Sequence, residues 1–105
     1  MPGYVIAQAR VHDAKEIKKY LSGFMNAFSP FGGRILVSTD RMEILEGSWP
    51  QVRTIVLEFP SLAVAKEWYY SRDYQALAKH RFLSAETNMI LIDGYEGQAT
   101  HSLSA

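Results

Sequence analysis

Cysteine is absent from the 105 residues, which excludes disulfides, thiolate catalysis, iron–sulfur clusters and cysteine-based zinc sites. An excess of either charge is also missing. Eleven Lys+Arg face eleven Asp+Glu, so the basic surplus of a strongly electrostatic nucleic-acid or membrane binder is not there. No apolar run approaches the ~18 residues of a membrane span. The opening Met-Pro-Gly-Tyr has neither a basic region nor a signal-type apolar stretch, and a cytoplasmic location is expected. The histidines, His12, His80 and His101, have no metal-ligand spacing, and nothing resembles a nucleophile elbow, a phosphate loop or an EF-hand. No metal or cofactor is therefore expected. What is present is ordinary globular composition, 48% hydrophobic and 21% charged, in a length that suits one domain.

The hydrophobic pattern orders the elements. Tyr4 to Val11 alternates with period two and reads as a strand. Asp13-Ala-Lys-Glu16 has the form of a capping box. Ile17, Tyr20, Leu21, Phe24 and Phe28 follow at helical spacing. Ser29-Pro30 and Gly32-Gly33 stop that helix. Arg34–Ser38 is a second strand, Thr39-Asp40 a turn, and Met42–Glu46 is expected to resume as a short strand. Val52–Phe59 is the strongest strand signal. Ser61 is placed to cap a helix from Leu62 to Tyr70, and Ser71-Arg72-Asp73 to cap another from Tyr74 to about Ala85. Asn88–Ile92 is the last strand. One domain over residues 1–95 is expected, followed by a polar tail over residues 96–105. The order β-α-β-β-α-β predicts an α+β, ferredoxin-like fold with an antiparallel sheet and both helices on one face.

Sorting the strands by face is the most informative step. Val5, Ala7, Ala9 and Val11, with Ile55, Leu57 and Phe59, form a nearly uncharged set suited to the helices. The other set is Tyr4, Ile6, Gln8 and Arg10, with Thr54, Val56 and Glu58, and with Arg34, Leu36 and Ser38. It mixes aliphatic and charged residues over roughly 400 Å² of sheet. A monomer seldom leaves such a patch in water, so a second copy of the same face, in a two-fold homodimeric barrel, is its expected cover. Charged groups enclosed there need partners or a ligand.

Several segments, in order, carry a family resemblance: Gly3-Tyr4, Phe31-Gly32-Gly33-Arg34, Leu45-Glu46-Gly47 with Trp49, Glu58-Phe59-Pro60-Ser61, Trp68-Tyr69 with Ser71, Tyr74-Gln75, and Arg81. Together, over about Gly3 to Asp93, they resemble the family called domain of unknown function 1330. The resemblance implies the dimeric α+β barrel superfamily and no particular activity. That superfamily includes cofactor-free monooxygenases, haem-degrading enzymes, muconolactone isomerase-like proteins and ligand-binding modules, so fold kinship guides function only loosely. Ser71-Arg72-Asp73-Tyr74 departs from the family, which often carries proline and glutamate at the two middle positions.

Glu58, in mid-strand on the mixed face, is the candidate proton-transfer residue, with a pKa raised by desolvation. Its alternative role is an interface ion pair with Arg10 or Arg34. Arg34 and Arg81 are candidate clamps for a carboxylate, Arg10 joins them as a ligand contact, and Tyr69 or Tyr74 is expected to orient a ligand. Trp68 is expected in the core, and Trp49 at a dimer contact or over a pocket. In haem-degrading relatives a helix histidine can be an axial ligand, so the resemblance singles out His80 for a hemin titration. The sheet lacks the exposed aromatics of an RNA-recognition fold. The reading is a homodimer that binds a small organic metabolite, acidic if the arginines converge on Glu58, with cofactor-free isomerase or monooxygenase chemistry open to it. The alternative is a non-catalytic binding or assembly module with structural salt bridges. Neither nucleic acid nor membrane is expected as a partner.

Overall fold

The computed structural model of the chain describes residues 1–95, so the predicted tail at 96–105 lies outside the described residues. Four strands form one antiparallel sheet: β1 (Gly3–Val11), β2 (Arg34–Thr39), β3 (Arg53–Phe59) and β4 (Ala85–Asp93), in the order β2-β3-β1-β4. Three α-helices, α1 (Ala14–Phe28), α2 (Leu62–Tyr69) and α3 (Arg72–Ser84), complete the α+β, ferredoxin-like fold. A short 3-10 turn, Ser29–Phe31, follows α1.

Local chemistry sets the element ends. Asp13 Oδ1 accepts the amides of Lys15 and Glu16 at the start of α1. Glu16 does not complete the expected capping box, because its carboxylate is held by Lys19 and by His80 of α3. Ser61 Oγ accepts from Val64 N and starts α2. Ser71 is shared between two helices: its hydroxyl donates to the Trp68 carbonyl and accepts from Tyr74 N. The departure from the family pattern therefore still yields a capped helix. Gly32, at φ +70°, turns the chain into β2. Gly33 lies so close to Phe28 that a Cβ there would stand 2.5 Å from the Phe28 ring.

Three further expectations are corrected. Met42–Glu46 is not a strand, and the chain runs irregularly from Arg41 to Val52. The last strand starts at Ala85, three residues before the predicted start, because it continues directly from α3 and pairs with β1 along its whole length. The third concerns β2. A bulge between Ile35 and Val37 breaks the alternation, so that Val37 pairs with Val56, Ser38 with Ile55 and Thr39 with Thr54. The extra residue reverses the parity beyond it. Val37 and Thr39 therefore join the face away from the helices, and Ser38 turns to the helix side.

The core sits where the helices meet β1 and β3. Trp68 is its centre, fully buried against Phe28, Phe59 and Tyr74. The hydroxyls of Tyr20 on α1 and Tyr74 on α3 meet at 2.7 Å inside it.

Candidate functional site

The face turned away from the helices reads as transverse rows. Val37, Val56, Ile6 and Ile90 are paired neighbours across all four strands, a continuous aliphatic row. On one side lie Arg34, Glu58, Tyr4 and Ile92; on the other lie Thr39, Thr54, Gln8 and Asn88. In the single chain Ile90 is 54% and Ile92 44% exposed.

Glu58 sits between two partners on this face. Arg34 donates through Nε at 2.8 Å and through Nη2 to Oε1, and Tyr4 donates its hydroxyl to Oε2 at 3.0 Å. Arg34 first, then Tyr4, hold the Glu58 carboxyl below its ordinary value, which outweighs the opposing effect of desolvation. The expected rise in its pKa is thus reversed, and the Tyr4 hydroxyl is pushed up chiefly by its bond to Glu58. Arg10 lies two residues past Gln8 on the same strand face, opposite Glu86, and is exposed.

The remaining predicted site residues are on the other side of the sheet. Arg81 on α3 is only 7% exposed, and Tyr74 is fully buried with its hydroxyl on Tyr20. Tyr69 packs its ring on Trp68 and Tyr74 at the edge of the core. The expected convergence of Arg34 and Arg81 on Glu58 does not occur, because the thickness of the sheet separates them. His80 is turned to Glu16, Nδ1 to Oε2 at 2.6 Å, joining α3 to α1. Among the described residues no group of three or more His, Cys, Asp or Glu could hold a metal ion.

What the helix side contains was not anticipated. A cavity of about 330 Å³ lies between the sheet and the three helices, a size within the usual range for small-molecule sites. Its floor is built from small side chains of β1, Ala7 and Ala9, flanked by Ile55, Leu57 and Met89. Alanine is a poor strand former with little volume, so the floor cannot fill the space beneath α1. Trp68, Phe24 and Tyr20 form the roof, and exposed Ile35 and Leu21 mark the open side. Burial pushes the Tyr20 hydroxyl up, with the adjacent Tyr74 next in effect, so it stays protonated.

Among the described residues, three buried side-chain polar atoms have no hydrogen-bond partner: Trp68 Nε1, Arg81 Nε and Thr87 Oγ1. All three residues line this cavity. Buried polar groups are nearly always paired, so three orphans on residues that line one space are a specific signal. The hint available in the sequence was the Ala7/Ala9 pair on a core face. Nothing in the one-dimensional pattern placed Arg81, Thr87 and Trp68 around it.

The pH dependence of the fold follows from the two held carboxylates. Glu16 is lowered by its bonds to His80 and Lys19, and Glu58 by Arg34 and Tyr4, from an ordinary value of 4.5. A depressed carboxyl contributes stability above its unfolded pKa and loses it as pH falls through the folded one. Melting temperature should therefore fall below about pH 4.5. The E16Q/E58Q double variant should show a shallower acid limb in a thermal melt series; an unchanged limb would remove both pairs from the account.

The comparisons agree with this architecture. The profile of a family described as Domain of unknown function (DUF1330) matches residues 2–95. No curated protein sequence matches the chain significantly. Among solved structures, RPA0582, a protein of unknown function from Rhodopseudomonas palustris, is 18% identical with a TM-score of 0.73, over 90% of this chain and 83% of that one. SnoaB, a cofactor-independent oxygenase from Streptomyces nogalater, is 11% identical with a TM-score of 0.55, over 93% and 97%. A dimeric ferredoxin-like protein of unknown function from Thermobifida fusca is 11% identical with a TM-score of 0.57, over 90% and 92%. At these identities the likeness is one of fold.

Proposed function

Because this chain belongs to the DUF1330 family, whose description carries no reaction, we propose its function from its own geometry: it self-associates through the open sheet face and binds a small organic molecule in the cavity between sheet and helices. The observation that carries the binding role is that three residues lining one apolar space, Trp68, Arg81 and Thr87, each hold a buried polar atom with no partner among the described residues. A ligand with an apolar body and a few oxygen atoms would satisfy them, as in most small-molecule sites.

The residues also bear on chemistry. Among the described residues the cavity lining includes no Asp, Glu or His, and the Tyr20 hydroxyl is held protonated. An isomerase would need a group to take a proton from carbon, so the isomerase reading loses support. The neighbour SnoaB is a cofactor-independent oxygenase. An oxygenase reading suits this cavity only for substrates that arrive ionised, their developing negative charge held by Arg81. Binding without catalysis is the simpler reading of the same geometry.

Self-association is supported by the aliphatic row across all four strands and by the dimeric neighbour from Thermobifida fusca. A stable interface takes about 800 Å² from each partner. The face supplies part of this, and exposed Leu45 and Trp49 of the connection after β2 offer more. In such a dimer Arg34 and Glu58 act as an interface ion pair, with Arg10 at the end of the face.

The binding role is tested with 2-naphthamide, a neutral probe that fits the cavity, against wild type and Ala7→Ile. Isothermal titration should show binding to wild type and at least about a tenfold loss in the variant, whose melting temperature should hold or rise as the void fills. Absence of wild-type binding, or equal affinity in the two proteins, would reject the cavity as a ligand site.

A further inference from the structure

The register across the helix side of the sheet gives the cavity a polarity. Its first transverse row is Leu57, Val5 and Leu91, and its second is Ile55, Ala7 and Met89, both wholly apolar. The third is Arg53, Ala9 and Thr87, paired neighbours on β3, β1 and β4. Here the central residue is an alanine, and the side chains on either side carry a guanidinium and a hydroxyl. Arg81 lines the same cavity from the last turn of α3, and Ser38 binds Arg53 Nη1 at 3.3 Å.

Two arginines and, among the described residues, no carboxylate thus line one cavity. Arg53 is exposed to water, whereas Arg81 is more than nine-tenths buried. The ion pairs among the described residues are Lys19–Glu16, Arg34–Glu58 and His80–Glu16, and none involves Arg81. Its guanidinium lies over the rings of Tyr20 and Phe82, at 5.8 and 4.9 Å from their centroids. Those contacts leave the Nε–H without an acceptor. Burying an always-charged group with no carboxylate partner among the described residues is unfavourable, and an anionic ligand group would offset that cost.

Resting on the cavity-binding reading, we propose that the ligand is a small organic monoanion. Its carboxylate or enolate oxygens sit over Ala9 between Arg81, Thr87 and Arg53, and its apolar body extends over Ala7 toward Leu57 and Trp68. Arg81 supplies the charge-assisted hydrogen bond, Thr87 Oγ1 a second donor, and Ala9 the room for the anion to approach. Trp68 Nε1, which has no partner among the described residues, is left for a carbonyl or ether oxygen of the body.

The test pairs 2-naphthoate with its neutral isostere 2-naphthamide, titrated into the full chain at pH 7.5 by calorimetry. Wild type should prefer the carboxylate by about 10–100-fold. Arg81→Met should cut that preference at least about fivefold while leaving naphthamide affinity within about threefold, and Thr87→Val should reduce the preference by a smaller factor. Equal wild-type affinity for the two probes overturns the anion assignment and leaves the cavity reading standing. A preference left undiminished by Arg81→Met overturns the role of Arg81. Binding of neither probe rejects the cavity reading itself. Should Arg81→Met not fold, the wild-type comparison and Thr87→Val still decide the assignment.

Discussion

Truncating Trp68 to alanine is expected to lower stability by about 3–5 kcal/mol, the usual cost of removing a large aromatic from a packed core. The indole is fully buried. It touches Phe24, Phe28, Phe59 and Tyr74 at ring-centroid distances from 4.1 to 6.2 Å, so no neighbour can collapse into the gap without leaving its own partners. Domains of this size are stable by only about 5–15 kcal/mol. The melting temperature should therefore drop by roughly 15–30 °C. Trp68→Phe should lose less than half as much. Because Trp68 Nε1 has no partner among the described residues, the phenylalanine variant forfeits volume and no hydrogen bond within them. Equal losses in the two variants, read by calorimetric melts, would show that the indole nitrogen and not the ring volume stabilises the fold.

Val56→Lys is the second large effect expected. Val56 is at the middle of the aliphatic row, paired with Val37 on one side and Ile6 on the other, with Ile90 beyond. In a two-fold dimer through this face, each lysine would enter an apolar contact and approach its symmetry mate. Desolvating an unpaired charge costs several kcal/mol, so the dimer dissociation constant should rise by at least about 100-fold. Sedimentation equilibrium at micromolar concentration should then find wild type as a dimer and Val56→Lys as a monomer with unchanged circular dichroism. A monomeric wild type, or a variant that dimerises equally well, would show that this face is not the interface. The naphthamide titration is independent of that outcome, because the cavity lies on the other side of the sheet.

The legible and the hidden parts of the site divide along physical lines. Alternation in β1 and β3 sorted Val5, Ala7, Leu57 and Phe59 correctly to the helix side, because side-chain direction in a paired strand has period two. The same rule misplaced Ser38. One extra residue near Leu36 reversed the parity, and a bulge leaves no mark in a pattern that short. Arg81 was visible as an arginine among apolar helix positions, yet its assigned partner, Glu58, is on the far side of the sheet. Spacing along α3 tells which residues share a helix face and does not say what that face meets.

From its amino acids alone this chain determined its element order, its helix caps, the apolar composition of its core and a sheet face that mixes aliphatic with charged residues. These are properties of short stretches, governed by local hydrogen bonding and by the periods of strand and helix. The tertiary structure decided that Arg34 and Tyr4 hold Glu58 ionised on one side, while Arg81, Thr87 and Trp68 surround an unfilled space on the other. Such a space is a difference between the volume that the helices enclose and the volume that side chains such as Ala7 and Ala9 occupy. It belongs to no single segment and exists only once the sheet and helices α1, α2 and α3 are packed together.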